Sequence, residues 1–208
     1  MKFPDGNPDQ LLKLIADYPL AWLVAGSPGA FDALPLPLLA ETDGEGRLTA
    51  LIGHCSRRNA QVETLRREPR ALALFSGPQG YVSPDMVRQP KWVPTWNYAV
   101  AAIAVDVEFT DAETGEAVER LVTHAEKGRA NPWTIADAGE RAAPLLARVI
   151  GFRAHVRAVT ASFKLGQDES VETLADILDR LEDPALASWM AMFNRDRLPV
   201  AAPEEVAR

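Results

Sequence analysis

A stretch rich in proline and aromatic residues, residues 71–98, constrains the fold of this chain more than any other segment. It begins with an apolar run, Arg70 to Ser76, which predicts a buried strand with cover on both faces. Aromatic rings on a stiff, irregular loop suit a planar ligand, although rings that only close one end of a barrel are the simpler interpretation. The residues that exclude a long helix here are Gly77, Pro78, Gly80, Pro84, Pro90 and Pro94, and the large rings are Tyr81, Trp92, Trp96 and Tyr98.

The composition is that of one soluble domain with an appendage. Of 208 residues, 47% are hydrophobic and 25% are charged. The longest apolar run, Tyr98 to Val105, is far shorter than the roughly 20 residues of a membrane helix. The N-terminus has no signal-peptide pattern, so we expect a cytoplasmic protein that does not span a membrane. The single cysteine, Cys55, excludes an internal disulfide, and no Cys and His spacing predicts a zinc site.

The charge of the chain argues against direct binding to nucleic acid. The net charge is −7 and the pI is near 5.0, whereas phosphate binding needs clustered Lys and Arg. No helix-turn-helix pattern is present either. We therefore expect no direct contact with DNA, since the basic groups are small: Arg66, Arg67 and Arg70 in one, and Arg153 with Arg157 in the other.

The first quarter of the chain predicts a short helix followed by an antiparallel meander. Asn7 and Pro8 are a helix cap and a first-turn residue, so a helix is expected over residues 8–17. Strands are expected over residues 20–25, 31–40 and 47–54. The second strand contains Pro35 and Pro37, which lack an N–H and point the same way, so it should be bulged or lie at an edge.

The rest of the chain alternates strands with helices. One long or bent strand is expected from Val93 to Phe109, and another over residues 149–159. Helices are expected over residues 112–127, 171–182 and 184–193. On the last strand Arg153, His155 and Arg157 share one face, a row that is more often solvated than part of a binding site.

The junction after the third strand, GHCSRRNAQ at residues 53–61, is the candidate phosphate site. Ser56 can cap the helix that follows, and the free N–H groups of the first turn lie beside Arg57 and Arg58. An ordinary Ser cap with two solvated arginines is the alternative. His54 and Cys55 lie at the same junction without a neighbouring acid–base partner, so the residues alone predict packing roles for both.

Four segments together resemble the PaiB-like family of FMN-binding negative transcriptional regulators. They are GHCSRRNAQ, FSGPQGYVSP at 75–84, VPTWNY at 93–98 and FKLGQ at 163–167. The resemblance implies an α+β, mainly β fold: a six-stranded antiparallel Greek-key split barrel with flanking helices. It also implies a homodimer with FMN at the subunit interface. On this basis we expect a split-barrel domain over residues 1–165 and a helical extension over residues 166–208, packed on the barrel.

The resemblance also implies which residues hold the flavin nucleotide. At the junction, Arg57 would serve the phosphate, a role that agrees with the need of a dianionic group for an arginine. Two turns further on would border the ring system, and a late Lys-x-x-Gln matches the family. The chain departs from the family at Gln79, where His is common. The expected cofactor-binding residues are His54, Ser56, Arg57, Arg58, Asn59, Gln61, Tyr81, Ser83, Trp96, Asn97, Lys164 and Gln167.

Three functions fit these observations. The first is a flavin-dependent regulator or sensor that acts without direct DNA binding. The second is a small flavin-dependent oxidoreductase of the pyridoxamine-oxidase or flavin-reductase kind, in which the cofactor supplies the chemistry. The third is a split-barrel interaction module without flavin. No catalytic residue and no metal ligand is predicted. The question of an enzyme stays open and leans toward no; an enzyme here would be an FMN-dependent oxidoreductase.

Overall fold

The computed structural model describes residues 7–27 and 30–198. The mainly β, α+β class predicted from the sequence is confirmed. The strands are β1 Leu20–Ser27, β2 Ala30–Pro37, β3 Leu39–Thr42, β4 Leu48–Ser56, β5 Arg70–Val82, β6 Thr95–Phe109 and β7 Val149–Lys164. The helices are α1 Pro8–Asp17, α2 Ala60–Arg67, α3 Thr114–Glu126, α4 Ala142–Leu146, α5 Val171–Arg180 and α6 Pro184–Phe193.

The described residues form one sheet of seven strands, ordered β2-β1-β5-β6-β7-β4-β3, where six strands were expected. The difference arises because the expected strand over residues 31–40 divides at Leu38 into β2 and β3. The side chain of Leu38 is fully buried, and its N–H donates to the carbonyl of Pro19 at 2.8 Å. The two halves then pair with different strands, β2 with β1 and β3 with β4, at opposite ends of the strand order.

The edge position predicted from Pro35 and Pro37 is confirmed, because β2 is the first strand in the order. Pro35 lies opposite Trp22, and Pro37 lies opposite Leu20. An edge strand has a partner on one side only, so a missing N–H on the other side leaves no ladder bond unmade.

The strand β5 corrects two expectations about the middle of the chain. It continues through Gly77 and Pro78 to Val82, although an irregular loop was expected from Gly77 onward. Its pairing with β1 covers only Ala71–Leu74, so Pro78 lies beyond the register in which β1 needs an N–H from β5. The expected cover on both faces is also wrong, because the strand is buried on one face only: Ala73 and Phe75 are buried, whereas Leu72 is 36% exposed and Ser76 is exposed.

The outer face of β1, β2 and β5 is apolar and exposed. Trp22 lies opposite Leu74 on one side and Pro35 on the other, so these side chains point the same way. The alternate residues of β1, such as Leu23, are buried in the core. The large exposed side chains of this outer face are Leu20, Trp22, Phe31 and Leu72.

Several helices begin where the sequence predicts. The capping box at Asn7 is formed with Gln10, and α1 has the predicted bounds. Ser170 caps α5, accepting from the N–H of Thr173. Asp183 caps α6, whose bounds also match the prediction. The expected helix over residues 112–127 is confirmed as α3 for Thr114–Glu126, and a short 3-10 turn over Asp111–Glu113 precedes it.

The chain divides into two compact units. The sheet unit contains residues 7–27, 30–77 and 100–161, and the helical unit contains residues 78–99 and 162–198. The expected boundary after residue 165 stays a prediction. The last ten residues of the expected helical extension, 199–208, lie outside the described part of the chain. No helix in the described residues is long and apolar enough to cross a membrane.

An ion pair between α5 and the segment after β5 fastens the helical unit. Asp176 is 8% exposed at its side chain and accepts hydrogen bonds from the backbone N–H and the Nε of Arg88, at 2.9 and 2.7 Å. Nearby, the carbonyl of Asp85 accepts a hydrogen bond from Arg180 at 2.9 Å. These bonds fix the segment that follows Val82 on α5, since a carboxylate with several donors holds its partner in one geometry.

The stability of the protein should depend on pH through Asp176. The side chain of Arg88, and then its backbone N–H, hold the pKa of this carboxyl below its ordinary value. A lowered pKa contributes stability that is present above the unfolded value, about 3.9, and is lost as the pH falls through the folded value. We expect Asp176→Asn to lower the urea midpoint at pH 7 and to flatten its decrease below about pH 4.

Asp168→Asn is the matched control, because Asp168 is an exposed aspartate of the same unit without an ion pair among the described residues. It should follow the wild type at every pH. Parallel wild-type and Asp176→Asn curves from pH 3 to 7, roughly the range over which carboxylates titrate, would show that Asp176 does not carry this pH dependence.

Candidate functional site

Six of the expected cofactor-binding residues lie in the sheet unit, where β4 ends and α2 begins. Here β4 extends to Ser56, which pairs with Val149 of β7. The expectation that Ser56 caps the helix is therefore wrong. The N-cap is Asn59, whose Oδ1 accepts from the N–H of Gln61 at 2.8 Å. An Asn three residues after Ser56 is an equally good cap, and the longer strand decides between them.

The N–H groups of Arg57, Arg58 and Asn59 are not free, which weakens the basis on which a phosphate was expected to bind. The N–H of Arg57 donates to the carbonyl of Arg148 at 3.0 Å. That of Arg58 reaches the Oγ of Ser56 at 3.3 Å, and that of Asn59 reaches the Ser56 carbonyl at 3.0 Å. The N–H of Gln61 in the first turn is also engaged, by Oδ1 of Asn59, so an anion bound here would rely mainly on guanidinium groups.

The guanidinium of Arg57 already has an anionic partner. Its Nη1 donates to Oδ1 of Asp111, and Arg66 approaches the other carboxylate oxygen, with Nη2 and Oδ2 3.7 Å apart. Arg58 is exposed and has no ion pair with any described residue. Two arginines therefore share one carboxylate at the start of the 3-10 turn that precedes α3.

Two polar atoms at the junction are buried without a hydrogen-bond partner: Nδ1 of His54 and Oε1 of Gln61. Among the described residues no other buried side-chain N or O atom is in this state. Burial lowers the pKa of His54, so the neutral ring is favoured, with one nitrogen to donate and one to accept. Gln61 is 2% exposed, and its Nε2 donates a hydrogen bond to the carbonyl of Leu23 at 3.2 Å.

Cys55 lies between these residues and has no reactive character. Its side chain is buried, and burial raises the pKa of the thiol to about 11. A thiol with a raised pKa is almost entirely protonated near neutral pH, and the thiolate is the nucleophilic form. The packing role expected for Cys55 agrees with this position.

The other six expected residues lie in the helical unit, and only two of them present an exposed ring. The rings of Tyr81 and Trp96 lie 6.0 Å apart between centroids at 54°, and each residue is 49% exposed. The Nε1 of Trp96 donates to Oε1 of Gln79 at 2.6 Å. Gln79, which stands where His is common in the family, thus holds the indole of Trp96 in place.

Two of the remaining residues have partners within the helical unit. Asn97 is 1% exposed, and its Nδ2 approaches Sδ of Met190 on α6 at 3.5 Å. The carbonyl of Ser83 accepts from the N–H of Met86 at the 3-10 turn that follows β5. The Asn97 side chain is therefore engaged with a helix in this structure, whereas the Ser83 side chain makes no capping bond.

The late Lys-x-x-Gln forms a turn after β7. Gln167 accepts from the N–H of Leu165 and donates to the carbonyl of Phe163, each at 2.7 Å. Both ends of the amide are used locally, so this side chain shapes the turn. Lys164 is half-buried and donates to the hydroxyl of Thr95 at the start of β6.

Sequence reasoning missed the two residues that surround Arg57. Asp111 was not among the expected site residues, and Arg66 was expected only as one of a basic group. The sequence near Asp111 does not show that Arg57 and Arg66 are its partners. The three residues lie on separate elements that tertiary packing brings together. The one available signal was an acidic residue two positions after the end of β6, in a chain whose β4–α2 junction is basic.

Relatives of known sequence support the resemblance to PaiB. The chain is 25% identical over 203 residues to "Protease synthase and sporulation protein PAI 2" of Bacillus subtilis (strain 168), covering 92% of this chain and 93% of the relative. That protein is PaiB. The chain is also 26% identical over 197 residues to "Uncharacterized protein AN0679" of Emericella nidulans, covering 78% of this chain and 76% of the relative.

Solved structures show the same fold. A "FAD and Heme binding protein" from Mycobacterium smegmatis superposes with a TM-score of 0.58 at 17% identity, covering 80% of this chain and 75% of its own. The "Flavocytochrome Anf3" from Azotobacter vinelandii has a TM-score of 0.55 at 16% identity, covering 77% and 68%. At these identities the likeness is one of fold alone.

A family model decides the assignment. The family described as "Putative FMN-binding domain" matches residues 1–158, about three quarters of the chain. The resemblance expected from the sequence is thereby confirmed, and the expected cofactor is the one in the family's description. The chain therefore belongs to this FMN-binding family.

Proposed function

We propose that this chain is an FMN-dependent regulator or sensor that holds the phosphate end of the cofactor at the β4–α2 junction. One observation carries the proposal. The two buried polar atoms without partners, on His54 and Gln61, fall on two residues that were expected to bind FMN. An unpartnered buried polar group costs about 1–3 kcal/mol, so a site built for a polar ligand is the natural reason for keeping both.

The chemistry of these side chains fits the cofactor. The Oε1 of Gln61 accepts hydrogen bonds only, and a neutral His54 can donate or accept, so both suit the hydroxyl groups of a ribityl chain. Arg57 beside them suits a phosphate, because its guanidinium matches two phosphate oxygens. When bound, the flavin would supply redox chemistry, and these residues would supply binding and orientation.

The exposed rings of the helical unit support a role toward a flat ligand. Tyr81 and Trp96 each keep about half of their surface exposed, and their rings lie 6.0 Å apart, so they form one exposed aromatic surface. Trp96 is held by Gln79, so its ring is fixed before any ligand arrives. We infer that these two rings border the flavin ring system, as the family resemblance implies.

The proposal predicts a yellow protein whose FMN affinity depends on Arg57. Arg57→Ala should weaken FMN binding about tenfold or more, because a charge-assisted contact to phosphate is worth about 1.5–3 kcal/mol. Arg58→Ala removes the same charge from an exposed residue and should weaken binding less. Quenching of flavin fluorescence on titration of the protein into FMN measures both affinities. Equal affinity of the wild type and Arg57→Ala would contradict the phosphate role.

We propose further that two copies of the chain pack through the outer face of β1, β2 and β5. Its large side chains are exposed apolar groups: Leu20 at 62%, Trp22 at 51% and Phe31 at 69%. A contiguous apolar sheet face of this kind marks an interaction site. The same face on a second copy is its natural occupant, since a two-fold axis pairs a patch with itself. The family resemblance implies a homodimer as well.

Trp22→Glu should therefore convert a dimer into a monomer at micromolar concentration. A charge placed in the middle of an apolar interface must be desolvated without a partner, which is costly. Trp133→Glu is the matched control, because Trp133 is similarly exposed, at 45%, and lies outside the outer face. Light scattering coupled to size-exclusion chromatography reports the mass. A monomeric wild type, or a dimeric Trp22→Glu variant, would refute this interface.

A regulatory effect of the protein would then be indirect, without contact with DNA. The basic groups that could contact phosphates are mostly neutralised within the sheet unit. Arg70 lies 3.7 Å from Glu68, and Arg157 lies 3.4 Å from Asp106. Arg153 pairs with both Glu41 and Glu113. Apart from the group of Arg57, Arg58, Arg66 and Arg67, paired arginines in a chain of net charge −7 leave little positive surface.

Fluorescence anisotropy tests this point with the protein's own promoter region as the labelled duplex. At about 150 mM salt, where non-specific phosphate contacts weaken, we expect no saturable binding. The titration is run with and without FMN, and with a scrambled duplex of equal length as the control. Saturable, sequence-dependent binding at submicromolar protein would show that the protein contacts DNA directly.

A further inference from the structure

The ion cluster formed by Arg57, Arg66 and Asp111 has an imbalance of charge. Two guanidinium groups face one carboxylate, with Arg57 on Oδ1 and Arg66 3.7 Å from Oδ2. All three side chains are partly exposed, between 37% and 58%. The cluster therefore carries a net charge of +1 at a position that solvent can reach.

The backbone fixes both ends of the cluster on the same strand. The N–H of Arg57 donates to the carbonyl of Arg148, directly before β7, at 3.0 Å. The N–H of Thr110, next to Asp111, donates to the carbonyl of Gly151 on β7 at 2.9 Å. The positions of Arg57 and Asp111 are thus set by the sheet and not by their own attraction.

An aromatic ring orients the second arginine. The guanidinium of Arg66 lies over the ring of Phe109, 5.7 Å from its centroid. Phe109 in turn packs edge-on against the buried Phe152, with centroids 6.0 Å apart. A guanidinium on a ring face has fewer orientations to lose when an anion arrives, so Arg66 is prepared to bind.

From this arrangement we propose that Arg66 is a second phosphate-binding arginine and that Asp111 occupies the phosphate position until the cofactor arrives. The proposal rests on the function proposed above and adds two residues that the family resemblance did not supply. Two oxygens of a phosphate group can take the places of Oδ1 and Oδ2. Asp111 is then a built-in competitor that sets the affinity of the site.

The charges favour this exchange. A phosphate monoester carries about −1.5 to −2 at pH 7, against −1 for a carboxylate, so it satisfies the pair of arginines more fully. A displaced Asp111 loses little, since its side chain is 58% exposed and water can solvate it. Ligands without a phosphate have no means of displacing it, so the cluster selects phosphorylated flavin.

The test is a set of affinities for FMN and for riboflavin, which has the same ring system and no phosphate. Asp111→Asn should bind FMN about twofold to fivefold more tightly, because an exposed ion pair that competed with the ligand is removed. Arg66→Ala should bind FMN about threefold to fivefold more weakly. Riboflavin affinity should stay unchanged in both variants. Flavin fluorescence quenching measures all of these values on the full chain.

Matched variants control for the change in net charge. Arg67→Ala removes an exposed arginine next to Arg66 that has no ion pair with any described residue. Glu119→Gln removes an exposed carboxylate on α3 that has none either. Both should bind FMN as the wild type does. Thermal melts of every variant show that each one is folded.

The outcomes separate this inference from the proposed function. If the wild type binds no FMN, the proposed function and the inference both fail. If Arg57→Ala weakens FMN binding while Asp111→Asn and Arg66→Ala match their controls, the function stands and the inference is overturned. A parallel change in riboflavin affinity would also overturn it, because the effect would then be structural and not directed at phosphate.

Discussion

The antiparallel pairing of β4 with β7 is the constraint on which the rest of the site depends. The register runs from Ala50 opposite His155 to Ser56 opposite Val149. Because the pairing includes Ser56, the turn must lie after it, and α2 begins at Ala60 with Asn59 as its cap. One further hydrogen bond, from the N–H of Arg57 to the carbonyl of Arg148, fixes the backbone of the junction against the residue before β7. The positions of the basic side chains follow from this ladder.

A second consequence of the same pairing is that the sheet unit uses its arginines internally. Arg153 on β7 reaches Glu41 on β3 and Glu113, and Arg120 on α3 also reaches Glu41 at 3.0 Å. The hydrogen bond from Arg153 is the main reason that the pKa of Glu41 is lowered. The row of basic residues on β7 is therefore partly a structural network.

The sequence determined the class of fold and many of its elements. Local signals were sufficient to place the start of two helices, because a capping residue is followed there by a proline. Asn7 and Pro8 begin α1, and Asp183 and Pro184 begin α6. The apolar alternation from Thr95 to Phe109 was long enough to predict a single strand. The family pattern also directed attention to His54 and Gln61, whose buried, unpartnered atoms the sequence could not reveal.

Only the tertiary structure decided how two competing local signals were resolved and which charges meet. Ser56 and Asn59 are both good caps, and the partner strand, not the sequence around them, selected Asn59. Pro78 predicted an end to β5, yet the strand continues because β1 pairs only with its first part. Asp111 was unremarkable in sequence until packing placed it between Arg57 and Arg66. The physical reason is common to all three: propensity acts over a few residues, whereas strand pairing and ion pairs join residues dozens of positions apart.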